Sequence, residues 1–216
     1  FNEGSGNIAH DSSVYNNHGT IYGATWVDGK YGKALSFDGV NDYVEIPDPS
    51  GKFVTPSLSQ LSVEAWIYTK STTVWQCIVE RGSPTSIGWF FYVYHGNILH
   101  TNIGGEALYS PPGTISSNKW YHVAFTWDGK QVILYANGVN VGSKGVTSLF
   151  TAGDRVYIGI RKGGGTNEYP FNGIIDEVRI YNRALTAEEI LNSYKGYPPT
   201  SISSSENLFF YLQSTG

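Results

Sequence analysis

Apolar and polar positions alternate with a period of two along most of this chain, and the alternating stretches are rich in β-branched and aromatic residues. Successive side chains of a strand point to opposite faces, so this pattern marks half-buried strands. It predicts strands over 61–68, 76–81, 89–94, 98–103, 120–127, 131–136, 155–160 and 173–181. Between them stand His95-Gly96-Asn97, Asp128-Gly129-Lys130 and Asn137-Gly138, whose residues tolerate the positive φ of a tight hairpin. Many short strands punctuated this regularly argue for an all-β chain folded as a two-sheet antiparallel sandwich.

The period changes once. Thr186-Ala187-Glu188-Glu189 forms a capping box, in which the Thr hydroxyl and the Glu189 carboxylate each satisfy a free backbone donor. Ile190, Leu191 and Tyr194 supply an apolar side, and Gly196 followed by Pro198 and Pro199 ends the element. One short C-terminal helix is therefore expected, lying over an edge or end of the sandwich. Beyond it the chain turns Pro/Ser-rich and then apolar again. The organisation read from this is a domain over 1–196, a linker over 197–207 and a strand over 208–213.

Composition narrows the function classes. The 216 residues are 40% hydrophobic, enough for a core, and a single all-β domain of that length is ordinary. A net charge of −4 with no basic cluster gives no electrostatic case for nucleic acid. No apolar run is long enough to span a membrane. Cys77 is the single cysteine and sits in an apolar run, which reads as a buried small residue rather than a reactive thiol.

Three constellations carry candidate chemistry. Asp38, Asn41 and Asp42 cluster around Gly39, where carboxylates on a tight turn suit a hard cation such as calcium, or equally satisfy the turn's own amides. Asp176, between Ile175 and Glu177, needs a partner on its strand: backbone donors, an arginine such as Arg179, or a metal. For catalysis, Glu64 has no second acid two or four residues on, and Asp176 and Glu177 are expected to face opposite ways. No catalytic residue is assigned. For glycan binding, alternation groups Glu64 with Trp66 and Tyr68, Tyr92 with Tyr94, His100 with Asn102, and His122 with Thr126. If these share one sheet, Glu64, Tyr92, His100, Asn102, His122 and Arg161 form a polar aromatic groove. Trp75, Trp89, Tyr109 and Tyr169 would stand at its rim, while Trp66, Trp120 and Trp127 are expected to pack between the sheets.

The motifs also carry a resemblance. Phe1-Asn2-Glu3-Gly4-Ser5-Gly6, Asp11-Ser12-Ser13, His18-Gly19-Thr20, the run from Gly32 through Phe37-Asp38-Gly39 to Val44, and Gly173-Ile174-Ile175-Asp176-Glu177-Val178-Arg179-Ile180-Tyr181 resemble the laminin-G-like (concanavalin A-like lectin/glucanase) family. The resemblance implies a jelly-roll topology and an extracellular or cell-surface location. It also implies a structural calcium between an early turn and an aspartate of the last strand, matching Asp38, Asp42 and Asp176. The family's hydrolytic branch carries paired acids that this chain lacks. Members usually have a short apolar strand before the Phe-Asn-Glu-Gly-Ser-Gly run, and Leu208, Phe209, Phe210, Tyr211 and Leu212 read like that strand. The leading functional expectation is a non-catalytic structural or adhesive module, donating this strand head to tail to a neighbouring copy and building a filament. The alternative is a carbohydrate-binding, lectin-like module engaging surface glycans.

Overall fold

The computed structural model describes residues 3–48, 58–83, 86–148, 152–162, 168–197 and 208–211, with Ser86 and the last four described by backbone alone. Its elements run β1 (Ile8–Ala9), β2 (Gly19–Tyr22), β3 (Thr25–Asp28), β4 (Lys33–Asp38), β5 (Tyr43–Pro47) and β6 (Leu61–Thr69). Then follow β7 (Gln76–Ser83), β8 (Ser86–Tyr94), β9 (Ile98–Ile103), β10 (Glu106–Tyr109), β11 (Trp120–Trp127) and β12 (Gln131–Ala136). β13 (Val139–Gly145), β14 (Arg155–Ile158), β15 (Asn172–Tyr181), the helix α1 (Ala187–Tyr194) and β16 (Leu208–Tyr211) complete the order. One sheet is β1-β2-β5-β14-β7-β8-β9-β10; the other is β13-β12-β11-β6-β15-β4-β3, with β16 beside β15. All pairings are antiparallel, and the jelly-roll sandwich with one short helix is the fold.

The core lies where the alternating apolar sets meet. Val63, Ala65 and Ile67 of β6 and Val123 and Phe125 of β11 face Trp89, Phe91 and Val93 of β8. Phe125 meets Trp89 and Phe91 edge-on at 5.9 and 5.4 Å between centroids, a favoured aromatic geometry. Trp127 is in this core as expected. Trp66 and Trp120 are not between the sheets: Trp66 is packed against Tyr194 and His122, and Trp120 against Tyr68, on the outer side of the second sheet. Trp89, expected at a rim, is fully buried in the core instead. The parity of the strand decides each case, because Trp66 shares its face with Glu64 whereas Trp89 shares its face with Phe91.

Local chemistry explains the joints. Asn137 and Gly138 both hold positive φ, 51° and 78°, as the two-residue turn between β12 and β13 requires. In β15 the alternation breaks. The register against β6 shifts between Asp176 and Arg179, and Glu177 sits at φ 50°, a bulge that adds one residue to the strand. Ile175 and Val178 both reach the core as a result. Asp176, opposite Trp66, and Glu177, bonded to Arg179, are both left on the outer side, which corrects the expectation that they face opposite ways.

The helix forms as its capping box dictates. Glu189 N–H donates to Thr186 Oγ1 at 3.2 Å, and Thr186 N–H donates to Glu189 Oε2 at 2.8 Å. Arg183 adds two bonds to the same carboxylate at 2.9 and 2.7 Å. The strand at 208–211 pairs with Arg179–Tyr181 of β15 in its own chain, beyond the stretch 172–175 that pairs with β4. Residues 198–207 of the expected linker, and Leu212, lie outside the described residues.

Candidate functional site

The six residues expected to form one groove fall on two different sheets. Glu64 and His122 lie on the outer side of the second sheet, where Trp66 is directly opposite His122 across β6 and β11. Helix α1 covers them. Glu64 is fully buried; its Oε1 accepts from Arg179 Nη1 at 3.2 Å, Tyr181 Oη at 3.0 Å and Ser193 Oγ at 3.3 Å. Its Oε2 lies 3.3 Å from His122 Nε2. Burial alone would raise the Glu64 carboxyl, but His122, Arg179 and Tyr181 outweigh it and hold it at about 2. Through the three bonds to its Oε1 this enclosed carboxylate joins strand to helix, while its Oε2 has no hydrogen-bond partner. It has no path to a ligand.

Tyr92, His100 and Asn102 belong to the first sheet, on its face away from the core, and Arg161 reaches Glu80 of that face from beyond the end of β14. Register builds that face in two rows. One joins Cys77, Tyr92, His100 and Tyr109 across β7, β8, β9 and β10; the other joins Tyr157, Glu80, Phe90 and Asn102 across β14, β7, β8 and β9. Tyr92 donates to Glu80, and Glu80 also lies 4.0 Å from Arg161 Nε. Burial pushes the Tyr92 phenol well up and keeps it a neutral donor. His100 is stacked on Tyr109 at 4.2 Å, and neither ring nitrogen has a hydrogen-bond partner. Burial lowers its imidazole to about 4, so it is neutral at ordinary pH.

Trp75 gathers the row into a site. Its ring meets Tyr94 at 4.0 Å, His100 at 5.6 Å and Tyr169 at 5.3 Å, the last in a stacked arrangement with 24° between planes. Tyr169 holds φ 54°, which is strained for a bulky residue. Its neighbours impose that conformation. Tyr169 O accepts from Cys77 N–H at 2.7 Å, while Arg161 and Glu168 exchange two backbone bonds at 2.8 and 2.9 Å. The Arg161 guanidinium lies 5.2 Å from the Tyr169 ring centroid. Beside this stacked pair opens a pocket of about 520 Å³, lined by Ser71, Thr73, Val74, Trp75, Tyr169, Pro170 and Asn172 with Gly39. Aromatic faces, hydroxyls and an amide converge there on a concave surface, the arrangement of a small-molecule site.

The acidic residues do not converge. Asp38 Oδ1 accepts from Val40 N–H at 2.8 Å, and Asp42 Oδ2 accepts from Asp38 N–H at 2.9 Å. Burial raises the Asp42 carboxyl, with the Asp38 charge acting the same way against the Asp38 amide. Asp38 pairs with Asn172 across β4 and β15, four positions before Asp176. Asp176 instead accepts from Tyr31 N–H at 3.0 Å and Glu177 N–H at 2.8 Å, and burial pushes it up to about 6. Among the described residues no three His, Cys, Asp or Glu side chains approach as a metal group needs. Asp38 and Asp42, on the turn with Gly39 and Asn41, therefore do not gather with Asp176 into one group of carboxylates.

With this fold and these faces in view, comparison places the chain. A sequence profile described as the concanavalin A-like lectin/glucanases superfamily matches residues 38–191. The chain belongs to that superfamily. Among solved structures it is similar to domain 4 of AbnA, an extracellular arabinanase of Geobacillus stearothermophilus in complex with arabinotriose. That match has 24% identity and a TM-score of 0.63, covering 86% of this chain and 97% of that one. It is similar also to the sialidase CBM40 of Ruminococcus gnavus bound to α2,3-sialyllactose, with 20% identity, a TM-score of 0.57 and 73% and 96% covered. A heptameric SAP-like pentraxin from Limulus polyphemus matches at 20% identity and a TM-score of 0.59, covering 74% and 81%. These likenesses establish the lectin-like fold. No curated protein matches by sequence. No helix among the described residues is long and apolar enough to cross a membrane.

Sequence reasoning put Trp75, Tyr109 and Tyr169 at a rim but left Ser71, Thr73, Pro170 and Asn172 unassigned. The available signal was a solitary Trp in the polar stretch 70–76 between two strong strands. What joins 71–75 to 169–172 is tertiary: Lys70 N–H donates to Asn172 O at 2.8 Å, and Asn172 N–H donates to Gln76 Oε1 at 2.8 Å.

Proposed function

We propose that this domain is a non-catalytic carbohydrate-binding module whose ligand rests on the Trp75–Tyr169 pair. The observation that carries this reading is the pair itself, a half-buried stacked platform held by a strained Tyr169 beside a pocket with hydroxyl and amide groups on its wall. Sugars bury their apolar ring faces on aromatic planes and place their hydroxyls on such groups. The neighbours with arabinotriose and sialyllactose support the reading by analogy of fold. The enclosure of Glu64, the acid of β6, beneath α1 supports the non-catalytic reading. We place the domain outside the cell or on its surface. Titration calorimetry against a panel of plant, microbial and host oligosaccharides tests it; saturable binding lost in Trp75→Ala is the expected result.

A second reading rests on the pairing of 208–211 with Arg179–Tyr181. Strand addition at a sheet edge is a general mode of recognition, and an edge filled by a chain's own tail is also open to a neighbour's tail. Exchange in this manner would link copies head to tail. Light scattering over rising concentration tests it, with polymers expected to grow and to be dispersed by an excess of a peptide spanning 206–216.

A further inference from the structure

Resting on the carbohydrate-binding reading, we infer that the ligand at the Trp75–Tyr169 pocket is an electrically neutral sugar segment, and that glycans bearing a carboxylate there are discriminated against. The wall of the pocket is the first ground. Ser71, Thr73 and Asn172 provide its polar groups, and none of the described lining residues carries a charge. Carboxylates leave water at high cost unless a cation or several donors receive them.

The nearby cations are the second ground. Arg161 pairs through Nη1 with Glu168 at 3.0 Å, and its Nε lies 4.0 Å from Glu80 without a hydrogen bond. Lys162 Nζ lies 3.5 Å from the Tyr43 ring centroid, on the side of β5. Lys70 is exposed to water, where a hydrated ammonium contributes little. His100, behind Trp75, is sealed between Tyr109 and Phe90 with no polar partner.

Fixed negative charge is the third. Asp38 is exposed and immediately precedes the lining residue Gly39, whereas Glu80 is buried and balanced by Arg161. An approaching uronate or sialate therefore meets, among the described lining residues, no charged side chain to receive it. A neutral ring meets two aromatic planes with hydroxyls and an amide at their edge. Charge at this pocket thus selects among sugars that stacking alone would accept.

The test is calorimetry with the full chain, comparing neutral arabino-, xylo-, gluco- and galacto-oligosaccharides with oligogalacturonate and sialyllactose of similar length. Binding sensitive to Trp75→Ala is expected for at least one neutral series, and at least about ten-fold weaker for every acidic one. The gap should narrow as salt is raised, because screening weakens the repulsion. Thr73→Arg, at an exposed position, should raise the affinity for acidic sugars at least about ten-fold by supplying the missing cation. Trp75-dependent binding of acidic sugars alone, or an inert Thr73→Arg, overturns neutrality while leaving the carbohydrate reading in place. Absence of Trp75-dependent binding to any sugar removes the carbohydrate reading itself.

Discussion

Tyr169 stacks on Trp75 at 5.3 Å because its backbone is held at φ 54°, with its carbonyl bonded to the amide of Cys77 two residues along from Trp75. The platform is thus built from a loop residue pinned to the strand that follows its partner. Its ring position depends on the backbone, so substitutions there separate the two contributions. Tyr169→Gly removes the ring and relieves the strain of positive φ, whereas Tyr169→Ala removes the ring and keeps that strain. Sugar affinity should fall in both by about 2 kcal/mol, as for an aromatic anchor. Melting temperature should fall further in Tyr169→Ala than in Tyr169→Gly; calorimetry and thermal scans together check this.

Glu64 is expected to matter for stability and not for binding. Glu64→Ala removes the buried acceptor of Arg179 Nη1, Tyr181 and Ser193 and the carboxylate beside His122, leaving Arg179 only Glu177 as its carboxylate, and should cost about 3–5 kcal/mol. Sugar binding on the other sheet should survive in the folded fraction, since the two faces share no contact partner. Urea unfolding followed by ligand titration measures both. Loss of affinity at full stability would move the site to the helix side.

Two buried groups act in opposite directions as pH falls below about 6.5: Asp176, raised to about 6 from 3.8, adds stability down to about 3.8, while His100 withdraws it. His100 is held near 4 in the folded chain, below its ordinary 6.5, so the unfolded chain takes up the proton first. Its contribution is fully present above about 6.5 and is lost progressively down to about 4. Glu64, held at about 2, adds a loss of the same sign as pH falls from about 4.5. Urea midpoints should therefore change little between 6.5 and 4.5 and fall below that, and His100→Phe should make them rise as pH falls from 6.5 to 4.5.

Calcium should leave the melting temperature of chelator-treated protein unchanged, because the acidic residues are spent on turn amides and Asp176 lies apart from them. A rise that Asp38→Asn abolishes would show that the turn by itself holds the ion.

Deleting 206–216 uncovers the Arg179–Tyr181 edge of β15. The truncated chain should be less stable and should no longer assemble at high concentration. Unchanged stability and unchanged size by light scattering would make the tail a passive extension.

The strands 61–68, 120–127 and 131–136, the hairpin at Asn137-Gly138 and the Thr186/Glu189 cap were all legible in the sequence. Each is set by interactions within a few residues: alternation along one strand, positive φ in one turn, two reciprocal bonds in one helical turn. Alternation also paired Tyr92 with Tyr94 and Glu64 with Trp66, yet it could not say which sheet each pair belonged to. That was decided by register between strands distant in sequence, which set Glu64 opposite Ala124 beneath α1 and Tyr92 opposite His100 in the open row. The bulge at Glu177 was equally invisible, because an inserted residue leaves the apolar pattern of Ile175 and Val178 readable either way. The Trp75–Tyr169 pocket belongs wholly to the tertiary structure. Its walls come from segments 71–75 and 169–172, which lead into β7 of one sheet and β15 of the other, and only the packing of the two sheets brings them together.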